Sequence, residues 1–494
     1  MLYNSTRNTD VRITASAAIK QGLSEDGGLF LPESVPAVSL EKIEELSKLS
    51  YPERAKYVLG LYLTDFTDEE LDDVVSVYNK DRFETDSVAP VYKLNSRTFF
   101  LELWHGPTCA FKDMALQVLP RLLTKSAKKN NDGKEIVILT ATSGDTGKAA
   151  LEGFKDVEGT RIAVFYPVSG VSNIQKLQMV TQQGGNVGVC AVEGNFDDAQ
   201  TGVKKIFTDA EYKKELSDKG YVFSSANSIN WGRLAPQIVY YFSAYCDMLA
   251  AGEIKLGEKI NIVVPTGNFG NILAAYYAKN MGVPIGKLIC ASNQNNVLTD
   301  FIKSGEYNRN RGFFTTASPS MDILISSNLE RLIFELSGRD AAMTADWMKS
   351  LSETGKYTVT DEVKAKIADL FWGGYCSDLD TALTINDTFK KYGYVIDPHT
   401  AVGKNVYDQY LTETDDMTKT VIASTASPYK FSKFVNDSMG ISTTDKDEFQ
   451  ILEDLSQASG TKIPQSLAGL KTAEIRFTSV SSKEELKGYV NSIL

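Results

Sequence analysis

The chain has 494 residues, 43% of them hydrophobic and 23% charged, with a formal net charge of −11. That length exceeds what one core usually supports, so two or three domains are expected. The acidic balance excludes nucleic-acid binding as the main function, because phosphate contacts need clustered Lys and Arg.

In chain order, MLYNSTRNTDVRITASAAIKQGL reads as a short irregular opening without the apolar core of a signal peptide. SLEKIEELSKLSYPERAKYVLGLYL and DEELDDVVSVYNKDRF carry apolar residues at helical spacing, with Ser39 and Asp68 as caps. A composition change near Ser87–Pro90 marks a domain boundary, so residues 1–89 form a mainly helical N-terminal domain. EIVILTA (135–141), RIAVFYP (161–167) and NVGVCAV (186–192) are short runs rich in β-branched residues, separated by helical stretches near 147–155, 172–183 and 197–210. This spacing predicts βαβ units and a parallel sheet. YVFSSA (221–226), KINIVVPTG (259–267) and GKLICAS (286–292) continue the pattern as a second α/β unit. Beyond residue 330 the pattern turns helical, with one more strand, KTVIASTA (419–426), and a charged tail after 440. No run approaches the roughly 20 apolar residues that span a bilayer. Five scattered cysteines without a CxxC pair and only two histidines, His105 and His399, leave no disulfide framework or metal site to expect. A cytoplasmic protein with no membrane or nucleic-acid partner is the expectation.

In open α/β sheets ligands bind beyond the carboxyl ends of strands, and the polar motifs stand there. In VVPTGNFGNILAAYYAK a strand ends at Pro265 and a Gly-Asn-Phe-Gly-Asn turn opens a helix. Backbone N–H groups and a helix dipole would converge on an anion, phosphate above all. LTATSGDTGKAALEGF repeats the strand-turn-helix form. It is not a P-loop: Thr142 stands where the first glycine is required and Ala149 where Ser or Thr is. Its polar loop, Thr142 to Thr146, suits a carboxylate or a phosphate, so two anionic groups are expected. In SANSINWGRLAPQ, Asn227, Ser228, Asn230 and Arg233 precede a helix, and a guanidinium binds phosphate in bidentate fashion. In HGPTCAFKDMALQ, Phe111, Met114, Ala115 and Val118 set Lys112 near an apolar helix face. Burial there would leave its amine neutral enough to attack a carbonyl. A Schiff-base lysine with a glycine-rich phosphate turn is the minimum kit for pyridoxal phosphate.

Together HGPTCAFKDMALQ, ATSGDTGKAA, NSINW, PTGNFGNILAAYYAK and DPHTAVG resemble the threonine synthase family, pyridoxal-phosphate enzymes of the tryptophan-synthase-β-like fold (fold type II). YNSTRN, GLSEDGGLFLPE and SPSMDILISSNLERL (318–332) resemble it too, so the likeness runs in family order along nearly the whole chain. The length is similar to the longer, fungal and bacterial branch. The resemblance implies two open parallel-sheet α/β domains: a large cofactor-binding one from 90–130 plus 216–494, and a small one at 131–215. It implies conversion of O-phospho-L-homoserine and water to L-threonine and phosphate by γ-elimination and β-addition of water. Lys112 would be Schiff-base lysine and general base. Gly267, Asn268, Phe269, Gly270 and Asn271 would hold the cofactor phosphate. Thr425 would face the pyridine nitrogen, and Asp145 would lie near the ring oxygen. Ser143, Gly144 and Thr146 would receive the substrate carboxylate, and Asn227, Ser228, Asn230 and Arg233 the substrate phosphate. The assembly would be a monomer or homodimer. The alternative is a related phospho-lyase giving 2-oxobutyrate. Cys109, Asn271 and Ser427 depart from residues frequent in the family, aliphatic, Asp and His respectively. Asp113 is expected to cap or pair locally, His105 to be structural, and His399 to be either in the site or satisfied at a helix start.

Overall fold

The computed structural model describes residues 1–130, 133–142, 144–169 and 171–494. Its strands, in chain order, are β1 (Leu2–Ser5), β2 (Asn8–Thr14), β3 (Phe30–Pro32), β4 (Val91–Lys93), β5 (Thr98–Glu102), β6 (Glu135–Ala141), β7 (Thr160–Pro167) and β8 (Val187–Val192). They continue with β9 (Tyr221–Ser224), β10 (Ile260–Pro265), β11 (Ile285–Ser292), β12 (Glu306–Asn308), β13 (Lys356–Thr358), β14 (Phe371–Tyr375), β15 (Thr420–Ser424) and β16 (Val480–Ser481).

The opening is not irregular. β1 pairs antiparallel with β2 and with β3, and only Val11 and Ile13 of β2 alternate inward, too few for a sequence pattern. The helices Leu40–Leu46, Tyr51–Tyr62 and Asp68–Val75 follow as expected. Ser39 caps the first by accepting from Lys42 N at 3.3 Å. At the third, the cap is Thr67 rather than Asp68. Thr67 and Glu70 exchange hydrogen bonds of 3.2 and 2.8 Å as a capping box, and Asp68 becomes the first helical residue, where its charge suits the dipole.

The large sheet has the order β14-β11-β10-β15-β5-β4, parallel except for the edge strand β4. The small sheet, β16-β8-β7-β6-β9, is parallel throughout. The small unit therefore extends beyond residues 131–215. β9 pairs with β6, and the tail returns to cover the opposite edge by pairing Val480–Ser481 with Ala191–Val192. Leu486 and Val490 of the helix Leu486–Ile493 then enter the small sheet's core. Edge strands left open invite unwanted pairing, and this return closes one. Between the large sheet and the N-terminal helices runs the helix Trp231–Ala250, buried along most of its length. Strands β5, β6, β9, β10 and β15 each deliver one of the polar motifs from their carboxyl ends. The described residues contain no helix long and apolar enough to cross a membrane.

Candidate active site

The stretch after β5 is held by pairings that leave Lys112 little freedom. Phe111 N donates to Thr425 O at 2.8 Å and Ser427 N donates to Cys109 O at 3.0 Å, stitching it to the segment after β15. Cys109 takes φ +58°, which turns the chain, and its thiol is buried against Ser466 Oγ at 3.3 Å. Asp113 accepts from the backbone and hydroxyl of Thr108 at 2.8 and 2.7 Å, the local pairing expected of it. Gly106 lacks a Cβ of necessity, since one would lie 2.6 Å from the Asp113 side chain. Lys112 is thereby largely buried, its side chain only 11% exposed. Its amine donates to Ser320 Oγ at 3.0 Å and stands 3.9 Å from Asp145 Oδ2. Burial lowers its pKa from 10.5 to about 8; Asp145 opposes this, while the like charges of Lys430 and Arg233 add to it.

Asp145 begins the helix Asp145–Phe154 after β6. Upstream, Thr142 Oγ1 accepts from Gly144 N and Gly147 N at 3.0 Å each, folding the loop. Asp145 Oδ1 pairs with Lys430 Nζ at 2.5 Å and accepts from Gln175 Nε2 at 3.0 Å, while Oδ2 accepts from Ser320 Oγ at 3.4 Å. Burial alone would raise its pKa, but the Lys430 and Lys112 ammoniums hold the carboxyl well below the usual range. Lys148 turns away to Glu152, at 3.2 Å, and to Gln182, which removes the last feature in common with a P-loop. Thr146 is half-buried in the helix's first turn, and Ser143 lies outside the described residues.

The turn after β10 approaches Ser320 closely. A Cβ on Gly267 would meet the Ser320 carbonyl oxygen at 2.5 Å. Phe269 is left-handed at φ +64°, and Asn268 O accepts from both the backbone and side chain of Asn328. Gly270 opens the twelve-residue helix Gly270–Met281, whose first N–H groups have no partner within the helix. Asn271 Oδ1 accepts from the hydroxyls of Tyr240, at 2.8 Å, and Tyr241, whereas its buried Nδ2 has no partner among the described residues. An orphaned amide donor beside a bare glycine turn and a helix start fits a phosphate group.

Arg233 lies on the same helix as those tyrosines and is buried. Nη1 donates to Ala226 O at 2.9 Å and Nε has no partner among the described residues; burial lowers its pKa from 12.5 to about 10. Asn227 Oδ1 accepts from Ser228 N at 2.6 Å, at the exposed rim. Asn230 differs. Its amide caps Gly232 N at 2.8 Å and donates to Ile19 O and Ser225 O, so the structure commits it to the fold. Thr425 is buried directly after β15. His105 pairs with Glu102 at 2.6 Å and stacks on Trp104. His399 is buried, bonds Asp397 Oδ1 through Nδ1 at 2.8 Å, and accepts from Ser320 N at 3.3 Å through Nε2. Ser427 Oγ accepts from Tyr429 N at 3.4 Å. The reading of the sequence missed Ser320, Lys430 and Gln175, which converge on Lys112 and Asp145 from three distant segments.

Three family models divide the chain: "Threonine synthase N terminus" at residues 2–77, "Pyridoxal-phosphate dependent enzyme" at 87–361 and "Threonine synthase, C-terminal" at 400–490. The threonine synthase of Saccharomyces cerevisiae is 35% identical over 98% of both chains. The chain belongs to the threonine synthase family of pyridoxal-phosphate-dependent enzymes. The crystal structure of pyridoxal-phosphate-bound threonine synthase from Brucella melitensis, 37% identical, superposes with a TM-score of 0.89 over all of this chain and 98% of that one. The human protein "Threonine synthase-like 1" is 40% identical over 86% of this chain, which spans 58% of that relative's length. The family's cofactor is pyridoxal phosphate, and the turn at 267–271 with Lys112 suits it.

Proposed function

We propose that the protein is a threonine synthase, converting O-phospho-L-homoserine and water to L-threonine and phosphate. The observation that carries this reading is a largely buried, readily neutralised lysine together with two buried donors, Asn271 Nδ2 and Arg233 Nε, that have no partner among the described residues. These donors would serve a cofactor phosphate and a substrate phosphate respectively.

Pyridoxal phosphate would supply an electron sink for negative charge developing beside the substrate amine. The chain's residues do the rest. Gly267 to Asn271 would hold the cofactor phosphate, Lys112 its aldehyde carbon, and Thr425 would present a hydroxyl, not a carboxylate, to the pyridine nitrogen. With a pKa of about 8, the Lys112 amine can both take and return a proton near neutral pH. Ser320 orients it, and Asp397 and His399 fix the Ser320 backbone in turn. Arg233, with Asn227 and Ser228 at the rim, would bind the substrate phosphate as it leaves the γ carbon. The 143–146 loop and its helix start would receive the substrate carboxylate. The anion-binding edges of both sheets thus face one lysine, which suits a substrate carrying a carboxylate at one end and a phosphate at the other.

Product analysis tests this. The protein loaded with pyridoxal phosphate should release equal amounts of threonine and phosphate from O-phospho-L-homoserine. Release of 2-oxobutyrate without threonine would overturn the proposal in favour of a phospho-lyase.

A further inference from the structure

Asp145 stands between two buried amines. Lys430, fully buried, lies 2.5 Å from its Oδ1, whereas Lys112 lies 3.9 Å from Oδ2. Lys430 also donates to Thr108 O at 2.9 Å, and it is Thr108 whose N–H and hydroxyl grip Asp113, the neighbour of Lys112. One ammonium therefore links the start of the helix Asp145–Phe154 to the Thr108 carbonyl, just upstream of the reactive lysine. The arrangement is asymmetric: of two lysines sharing a carboxylate, the one with no assigned role holds the short contact.

We propose that Lys430 is a positioning residue for Lys112, committing Asp145 to an ion pair of its own and so keeping that carboxylate from closing onto the Lys112 amine. The inference rests on reading Lys112 as the reactive amine. A buried carboxylate with only one ammonium nearby would pair with it and hold it protonated, and a protonated amine can neither attack an aldehyde nor take up a proton. With Lys430 in place, Asp145 is already neutralised, and Gln175 Nε2 at 3.0 Å fixes the same oxygen. The charged groups facing Lys112 are then Asp145 and Asp113 against Lys430 and Arg233. The Ser320 hydroxyl and the Phe111 ring, 5.6 Å from the amine, complete its surroundings. Removing Lys430 shifts that balance toward the protonated form, and removing the Asp145 charge shifts it the other way.

The test reads Lys112 itself in the full-length apoprotein, apart from turnover. Labelling of Lys112 by an amine-reactive acylating reagent, followed by peptide mass spectrometry across pH, reports when that amine becomes neutral. In Lys430→Met the labelling rate near pH 7 should fall about tenfold, the change expected when the midpoint rises by one pH unit. Lys430→Arg, which keeps the charge, should restore much of it, and Asp145→Asn should raise it above that of the parent protein. A folded Lys430→Met protein, judged by circular dichroism, whose Lys112 labels as in the parent would overturn the proposal. If Lys430→Met does not fold, an Asp145→Asn protein with unchanged labelling would overturn it equally. Failure of the parent protein to take up pyridoxal phosphate at Lys112 would instead sink the functional reading, without touching this result.

Discussion

Replacing Arg233 by methionine separates a ligand-binding arginine from a structural one, because the two roles predict opposite effects on stability. The guanidinium is buried and, among the described residues, has one hydrogen bond, to Ala226 O, and no carboxylate at its side. Burial lowers its pKa from 12.5 to about 10, which at ~1.4 kcal/mol per tenfold is about 3 kcal/mol of unfavourable ionisation. Methionine removes that cost and leaves one carbonyl unpaired, at about 1 kcal/mol. Without anions, Arg233→Met should therefore be as stable as the parent or more stable by up to about 2 kcal/mol. With anions the order reverses. Hydrogen bonds to a charged group contribute roughly 1.5–3 kcal/mol, so KM for O-phospho-L-homoserine should rise about ten- to a hundredfold. Inorganic phosphate at a hundred times its Kd should stabilise the parent by about 2.7 kcal/mol and the variant far less. Thermal melts with and without phosphate, beside steady-state kinetics, measure both. A variant that melts well below the parent in phosphate-free buffer yet keeps its KM would refute the assignment.

Asn230→Ala should show the converse: a loss of about 2–4 kcal/mol in urea denaturation, from one helix cap and the carbonyls of Ile19 and Ser225, with KM unchanged. Lys112→Ala should fold yet give no visible absorption band with pyridoxal phosphate, which spectrophotometry of the reconstituted protein checks. A lysine depressed to about 8 binds fewer protons folded than unfolded between about pH 8 and 10.5. Apoprotein stability should consequently rise with pH through that window, and Lys112→Met should flatten the rise in denaturation midpoints. Gly267→Ala would place a methyl group 2.5 Å from the Ser320 carbonyl oxygen. Overpacking of that kind costs about 1–3 kcal/mol, so pyridoxal phosphate should bind about tenfold or more weakly by equilibrium titration.

The legible part of this protein is what local sequence decides. EIVILTA is β6 residue for residue, because a run of β-branched residues ending in a polar turn has few other solutions. A parallel sheet sends every carboxyl-end turn to the same edge, so the turns after β6 and β9 of the small sheet and after β10 and β15 of the large one carry most of the residues proposed for the site. β5 and β14 were missed for the opposite reason: TFFLE and FWGGY are five residues each, lack β-branched runs and become strands only between neighbours already in place.

Within the site the same division separates residues only three positions apart. Asn230 and Arg233 open one helix and read alike as polar groups after an apolar strand. The carbonyl of Ile19, some two hundred residues upstream, takes the asparagine into the fold, while the arginine finds no comparable partner beyond Ala226 O. Lys430 is hidden for a related reason, since a lysine six residues after a strand reads as solvated until Asp145 and Thr108 arrive from elsewhere. A short motif shows which donors reach the site, but whether a donor stays free for a ligand is decided by contacts from distant parts of the chain. On the proposed reading, buried atoms without a partner among the described residues, Asn271 Nδ2 and Arg233 Nε, therefore mark the anion positions more sharply than the motifs that carry them.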